Sequence, residues 1–440
     1  MEIKIDRFGF NGEGIGLITE GKNKGKIAFV DYVLPEEIVD CEIVEEKKKF
    51  CNCVLKNIIN KSSDRIVQKC KYFSICGGCD LQHIDEKLQL EIKKNSIMQT
   101  LKKVANLDVV CKDVISKNNF NYRNKMVFPI VNINNKNIIG MFKNNSHIIE
   151  DINYCYIANE KINEVLNLSK RYFTNSNIKG FDFNTNCGDL KYLVVRNYGE
   201  QVLITLVVSR KLDLKNYYDF MCDNFSELGL SVIVSDNGDD ILSGDYYHLY
   251  GERCLKIEEF GICYEINNLG FMQVNSEIKL ELYTKILENI DESSNVVDCY
   301  SGAGLMTAIV SKKCKKAIGI EINKSAHESA IKLKKDNHLS NVGYECGDVS
   351  KKLFDCIKKF TDCVIILDPP KSGCSKSVIE CILNNSNKVE KILYISCNVS
   401  TLARDLNSLK DKYDILEVQP YNMFPQTKHV ETLVVLERKG

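Results

Sequence analysis

The chain has 440 residues, too many for one ordinary domain and enough for two or three. Its 44% hydrophobic and 27% charged residues suit a globular protein, no apolar run approaches the roughly 18 residues of a membrane helix, and MEIKIDRFGF lacks the apolar stretch of a secretion signal, so a cytoplasmic location without a membrane partner is expected. With 59 basic and 59 acidic residues the net charge is +0, which by itself argues mildly against a nucleic-acid partner.

From Met1 to about Lys56, β-formers alternate or cluster between Gly, Asn and Asp breakers, in IKIDRFGF, GIGLITE, GKIAFVDYVL and DCEIVEEKKKFCNCVL. Short strands at this spacing suggest a small closed β-barrel of the OB kind, a shape often used for RNA. Lysines at Lys22–Lys26, Lys47–Lys49 and Lys93–Lys103 would form either local positive patches or ordinary solvated faces.

Most of the 20 cysteines, such as Cys263, Cys314, Cys356 and Cys381, stand singly in apolar segments and read as small buried hydrophobes. Cys70, Cys76 and Cys79 differ, because CKYFSICGGCD has ligand-type spacing. Four thiolates can hold zinc or an iron–sulfur cluster, so these three require a distant fourth. A helical period follows in LQHIDEKLQLEIKKNSIMQTLKKVA. From about Tyr122 to Ile266 strands return, as in MVFPIVNI, KYLVVRNYG, QVLITLVVS and LSVIVSD, with helix in IANEKINEVLNLSKRYF.

After Phe271 strand and helix alternate. SSNVVDCYSGAGLMTAIVSKK reads as strand, glycine turn and helix; KKAIGIE, VIILDPP and KILYISC are further strands, and KSAHESAIKLKKDNHL is a helix. This order predicts a mostly parallel sheet covered on both faces. The expected fold class is an α/β Rossmann-like domain (266–440), preceded by a small β-barrel (1–57) and a mostly β central domain (58–265).

The turn Asp298–Gly304 joins the first strand to the first helix of this series and lets the backbone approach a ligand. Glu321 ends the next strand, about 20 residues on, where a carboxylate can accept from ribose hydroxyls. Asp348 in CGDV and Asp368 in LDPP end later strands on the same edge. Dinucleotides and S-adenosylmethionine share this architecture; the acidic residue before paired prolines in DPPK favours S-adenosylmethionine, and no P-loop signature is present. Cys397, in YISCNVST, ends a strand at a helix N-terminus, where the helix dipole is expected to lower its pKa. Glu431 follows His429 at the head of the last strand. By spacing alone, Cys397 fits a buried structural cysteine and Glu431 an exposed carboxylate.

Phe271-Met272-Gln273-Val274-Asn275, Asp298 through Gly304, Asp368-Pro369-Pro370-Lys371-Ser372-Gly373, Ser396-Cys397-Asn398 and Phe424 through Thr432 together resemble the RNA 5-methyluridine methyltransferase family. The resemblance covers nearly the whole chain. It implies Cys397 as nucleophile, Glu431 as proton-abstracting base, and Gln273, Tyr300, Glu321 and Asp368 at the S-adenosylmethionine and uracil pocket, with Asp348 alongside on the cofactor edge. Phe271 would stack on the target base, and His429 would orient its neighbours. Val399, Lys371 and Leu305 replace the commoner proline, arginine and asparagine, the last with loss of a polar contact toward the cofactor.

The N-terminal segment resembles a TRAM domain, and Cys155 matches the fourth ligand position of a subfamily that carries a 4Fe–4S cluster on the equivalents of Cys70, Cys76, Cys79 and Cys155, with zinc as the alternative. Relatives with both features mostly modify large-subunit ribosomal RNA. The implied partner is therefore 23S rRNA, with tRNA as the alternative. Two readings from other classes stay open: an amino-methyltransferase holding an exocyclic nitrogen with DPPK, and a non-catalytic RNA-binding ribosome-assembly factor.

Overall fold

Alternation of buried and exposed positions builds the first five strands. The computed structural model describes residues 1–9, 12–182, 185–235 and 240–440. In β1 (Glu2–Phe8), Ile3 and Ile5 turn inward while their neighbours face solvent. With β2 (Gly14–Leu17), β3 (Ile27–Val30), β4 (Ile38–Glu46) and β5 (Phe50–Asn60) it closes a barrel in the order β1-β2-β3-β5-β4, around Val30, Val39, Cys41, Cys51 and Cys53. The long β-rich stretch from Asp40 to Leu55 is a hairpin that turns at Lys47–Lys49. Lys22 and Lys26 pair with Glu46, and Lys47 with Glu45, so these patches are partly neutralised.

Helix α1 (Glu86–Ala105) begins at Asp85, whose carboxylate accepts from the Leu88 N–H at 2.8 Å, and stops where Asn106 turns left-handed. Ile97, Leu101 and Ala105 bury its inner side in the core of the C-terminal sheet, far along the chain. Lys93 is buried as well, while Lys94 and Lys102 pair with Asp113 and Asp108. Lys93–Lys103 is therefore not the positive patch that its sequence suggests.

The central region contains β6 (Lys125–Ile133), β7 (Lys136–Ile139), β8 (Met141–Phe142), β9 (Ile149–Glu150), α2 (Glu160–Thr174), β10 (Leu190–Tyr198), β11 (Gln201–Val208), α3 (Lys215–Cys222), β12 (Glu227–Ser235) and β13 (Gly244–Gly251). Its sheet runs β13-β12-β11-β10-β6-β7, with α2 and α3 packed on one face. The hairpin of β14 (Leu255–Glu259) and β15 (Ile262–Ile266) leads out of it.

The last third comprises α4 (Ser276–Glu288), β16 (Asn295–Cys299), α5 (Leu305–Ser311), β17 (Lys316–Glu321), α6 (Lys324–Asp336), β18 (Val342–Cys346), α7 (Val349–Ile357), β19 (Cys363–Leu367), α8 (Lys376–Asn384), β20 (Val389–Ser396), α9 (Val399–Leu409), β21 (Tyr413–Tyr421) and β22 (Glu431–Arg438). The sheet order is β18-β17-β16-β19-β20-β22-β21, with only β22 running against its neighbours. β19 is buried throughout, Val364 and Ile366 entering one core and Ile365 and Leu367 the other, as a strand between two helical layers requires. No helix among the described residues is long and apolar enough to cross a membrane.

Candidate active site

Parallel strands covered on both faces leave a crevice at their carboxyl ends. β16 pairs in step with β17 and β19, and the last partners of Cys299 are Ile320 and Leu367. One step further, Tyr300, Glu321 and Asp368 therefore stand level on that edge. Asp348 lies just past β18, and Cys397 just past β20.

The glycine turn folds over this edge through positive φ at Tyr300 (65°), Gly302 (55°) and Gly304 (82°). A Cβ at position 304 would meet Tyr344 Oη at 2.5 Å, so glycine is required there. The Gly302 N–H donates to Glu321 Oε2 (2.9 Å) and the Asn323 N–H to Oε1 (2.6 Å), which locks Glu321 against the turn. Asp348 caps α7, and the Ser350 hydroxyl and N–H hold its carboxyl below the ordinary range. Gln273 is buried, and its carbonyl accepts from Asn124 Nδ2 at 2.9 Å. Phe271, two residues earlier, is 80% exposed and has no core role.

Carboxylates crowd the recess. Burial pushes Asp298 up to about 7, with Asp368 and Glu321 adding like charge, while Thr307 Oγ1 donates to its Oδ2 at 2.5 Å. Asp368 is exposed to solvent, yet enough of the chain surrounds it for burial to push it up to about 6, as for a carboxylate that lines an open recess. Carboxylates that raise one another in this way favour a cation among them, and the sulfonium of S-adenosylmethionine is a cation.

The β20–β22 ladder pairs Ile392 with Leu436 and, at its end, Ser396 with Thr432. The next position sets Cys397 opposite Glu431. Glu431 is 4% exposed, not the solvated strand-start carboxylate that spacing alone allowed; burial and then Asp368 push it well up. Cys397 is half-buried. Burial first and the Glu431 charge second push its thiol up, with Lys371 pulling the other way. Desolvation and the facing carboxylate thus act on the thiol against the lowering expected of a helix N-terminus.

Helix α9 clamps the segment after Asp368. Asn398 Nδ2 donates to Lys371 O (3.0 Å), Thr401 Oγ1 to the same carbonyl (3.2 Å), and Arg404 Nη2 to Ser372 O (3.1 Å) and Cys374 O (3.0 Å). Buried Asp405 accepts from Tyr394 Oη (2.6 Å), the Cys374 N–H (2.9 Å) and Arg404 Nε (2.8 Å). Sequence reading missed Asp405 and Tyr394, since most of their partners lie on other elements and leave no spacing signal. His429 stands edge-on to Phe424, and its N–H donates to Thr427 Oγ1 at 3.3 Å; no hydrogen bond joins its ring to Glu431 among the described residues.

Cys70, Cys76, Cys79 and Cys155 are gathered closely enough that each of Cys70, Cys76 and Cys155 raises the Cys79 thiol further, after burial. Asn163 anchors Cys155 by accepting from its N–H (2.7 Å) and donating to its carbonyl (3.0 Å). As the side chains stand, no group of three or more His, Cys, Asp or Glu among the described residues could hold a metal ion.

Residues 85–439 match the family described as tRNA (Uracil-5-)-methyltransferase, and residues 1–52 match the TRAM domain. The chain belongs to the tRNA (uracil-5-)-methyltransferase family. It is an RNA methyltransferase with an N-terminal TRAM barrel. An uncharacterized RNA methyltransferase of Fusobacterium nucleatum is 32% identical over 452 residues, covering 100% of this chain and 96% of the relative. One of Caldanaerobacter subterraneus is 33% identical over 453 residues, with 99% and 98% covered. The solved tRNA (uracil-54, C5)-methyltransferase of Pyrococcus abyssi, in complex with S-adenosyl-L-homocysteine, shares the fold of this family member with a TM-score of 0.78 and 24% identity, over 99% of this chain and 100% of that one.

Proposed function

We propose that this family member methylates carbon 5 of a uridine in RNA, with Cys397 as nucleophile and Glu431 as base. The observation that carries the reading is the placement of a thiol opposite a buried carboxylate at the mouth of the recess. Carbon 5 of uracil is a poor nucleophile. Attack of the Cys397 thiolate on carbon 6 forms an S–C bond and an enolate, whose carbon 5 takes the methyl group. Glu431 then accepts the proton from carbon 5, the S–C bond breaks, and the thiolate leaves. A carboxylate raised by burial suits this base role near neutral pH.

S-adenosylmethionine supplies the electrophilic methyl group when bound. Gln273, Tyr300, Glu321, Asp348 and Asp368 would hold it, and Phe271 would stack on the target base. The uridine must leave its stack to expose carbon 5, which favours a loop or a single strand.

The RNA proposed first is 23S rRNA, because this chain joins a TRAM barrel to a four-thiol group, the combination that the resemblance ties to that target. A tRNA uridine is the second reading, supported by the tRNA enzyme that shares the fold end to end. Cys70, Cys76, Cys79 and Cys155 are proposed as ligands of a 4Fe–4S cluster, or of zinc. What supports this reading is donor chemistry: thiolates are the ligands either group takes, and four thiols from two segments lie near enough to act on one another. Such a group would tie the central region to the segment leading into α1, with no part in methyl transfer.

The test incubates the protein with labelled S-adenosylmethionine and unmodified 23S rRNA or tRNA, then maps the label by nucleoside analysis. Label in 5-methyluridine that vanishes in Cys397→Ala supports the reading. Label in another nucleoside, or label retained in Cys397→Ala, sinks it.

A further inference from the structure

The segment that delivers Glu431 to the recess is held largely from outside the C-terminal sheet. Lys93 of α1 is 1% exposed, and its Nζ donates to Asn422 Oδ1 (2.6 Å) and Phe424 O (3.0 Å). One turn earlier on the same helix face, Gln89 Nε2 donates to Gln426 Oε1 (3.1 Å). The Asp80 and Leu81 N–H groups both donate to Gln426 O (2.9 and 3.0 Å), and the Lys428 N–H donates to Asp80 Oδ2 (3.1 Å). Tyr122 Oη adds a bond to Pro425 O (3.1 Å). Gln426 adopts φ 67°, a conformation that a glutamine keeps only where its surroundings over-determine it.

A buried ammonium is destabilising unless partnered, and no carboxylate among the described residues forms an ion pair with Lys93; the acceptors it has are two neutral oxygens. Its helix face continues with Ile97, Leu101 and Ala105 at every fourth position, so an apolar side chain would pack there at lower cost. What an apolar side chain lacks is several donors on a long stem, able to reach two acceptors on one loop.

We propose that Lys93, assisted by Gln89, is a positioning residue for proton removal: it fixes the Asn422–Gln426 turn and thereby sets where the Glu431 carboxylate enters the recess. This rests on the reading of Glu431 as the base. Lys93 bonds to Asn422 and Phe424, not to Cys397, so in this scheme thiol attack and methyl transfer proceed without it, and the step that suffers is release of the product from Cys397.

The test compares wild type, Lys93→Met, Asn422→Ala and Glu431→Gln by kcat, by KM for S-adenosylmethionine, and by the amount of RNA–protein adduct that survives denaturing electrophoresis. Lys93→Met is expected to lower kcat on the order of 10- to 100-fold, the scale of a small misplacement of a reacting group. Its KM for S-adenosylmethionine should be unchanged, and adduct should accumulate as in Glu431→Gln. Wild-type kcat in Lys93→Met, or lost activity without adduct, overturns the proposal. Should Lys93→Met lack a cooperative melting transition, Asn422→Ala, which removes one of the two acceptors, is judged by the same criteria. A Glu431→Gln protein that turns over normally without adduct removes the base assignment and the proposal with it. That pattern is distinct from a Lys93 variant that alone behaves as wild type.

Discussion

Lys125 of β6 and Arg196 of β10 face each other on one rung of the central sheet, and both donate into the loop that carries Phe271. Lys125 Nζ donates to Asn268 O at 2.7 Å and Arg196 Nη2 to Gly270 O at 2.6 Å. Two basic side chains of the central region thus hold the backbone just before the exposed Phe271.

Phe271→Ala should leave stability within about 0.5 kcal/mol of wild type, as expected for an exposed side chain. If the ring stacks on the target base, kcat/KM for RNA should fall by roughly 5- to 150-fold, equivalent to about 1–3 kcal/mol of stacking. KM for S-adenosylmethionine should not move. Denaturant unfolding together with steady-state kinetics on RNA separates this outcome from a packing defect, which would lower stability and activity together.

Methylation should rise with pH from the mildly acidic into the alkaline range. Cys397 attacks only as the thiolate and Glu431 accepts a proton only as the carboxylate, and burial pushes both groups up. Both required forms are therefore depleted at low pH and recovered as pH climbs. Lys371 pulls the thiol down, so Lys371→Met should displace the rising limb of kcat/KM toward higher pH. A profile that falls across the same range would contradict the assignment.

Asp405→Ala should cost about 2–3 kcal/mol, because it leaves Tyr394 Oη and the Cys374 N–H without their buried acceptor. Arg404 adds less, since its guanidinium is half exposed. The midpoint of urea unfolding reports the loss. An unchanged midpoint would mean that the Asn398, Thr401 and Arg404 bonds hold the loop after Asp368 without Asp405.

Purification without oxygen should yield a brown protein containing iron and sulfide, and Cys155→Ser should lose most of both and melt at a lower temperature. Stoichiometric zinc in a colourless protein would replace the cluster by zinc at the same four thiols. Neither metal bound would leave Cys70, Cys76, Cys79 and Cys155 as a packed group of thiols.

The features legible in the chain are those that local chemistry dictates. Strand and helix order after Phe271 follows from periodicity, and the strand ends at Asp298, Glu321, Asp368 and Cys397 follow from the glycines, prolines and caps beside them. The barrel was legible for the same reason, in short β-runs between breakers. Tertiary structure alone decided what faces each group. β22 enters the sheet between β20 and β21, so Glu431 is buried opposite Cys397 instead of solvated at a strand start. α1 docks on the C-terminal sheet, so Lys93 lies under the Glu431 segment instead of in a positive patch. Burial and a facing carboxylate raise the Cys397 thiol where the helix terminus alone predicted the opposite. Exposure and charge depend on partners that lie tens of residues away, as Glu431 from Cys397, or hundreds, as Asn422 from Lys93, and such pairing leaves no local pattern to read.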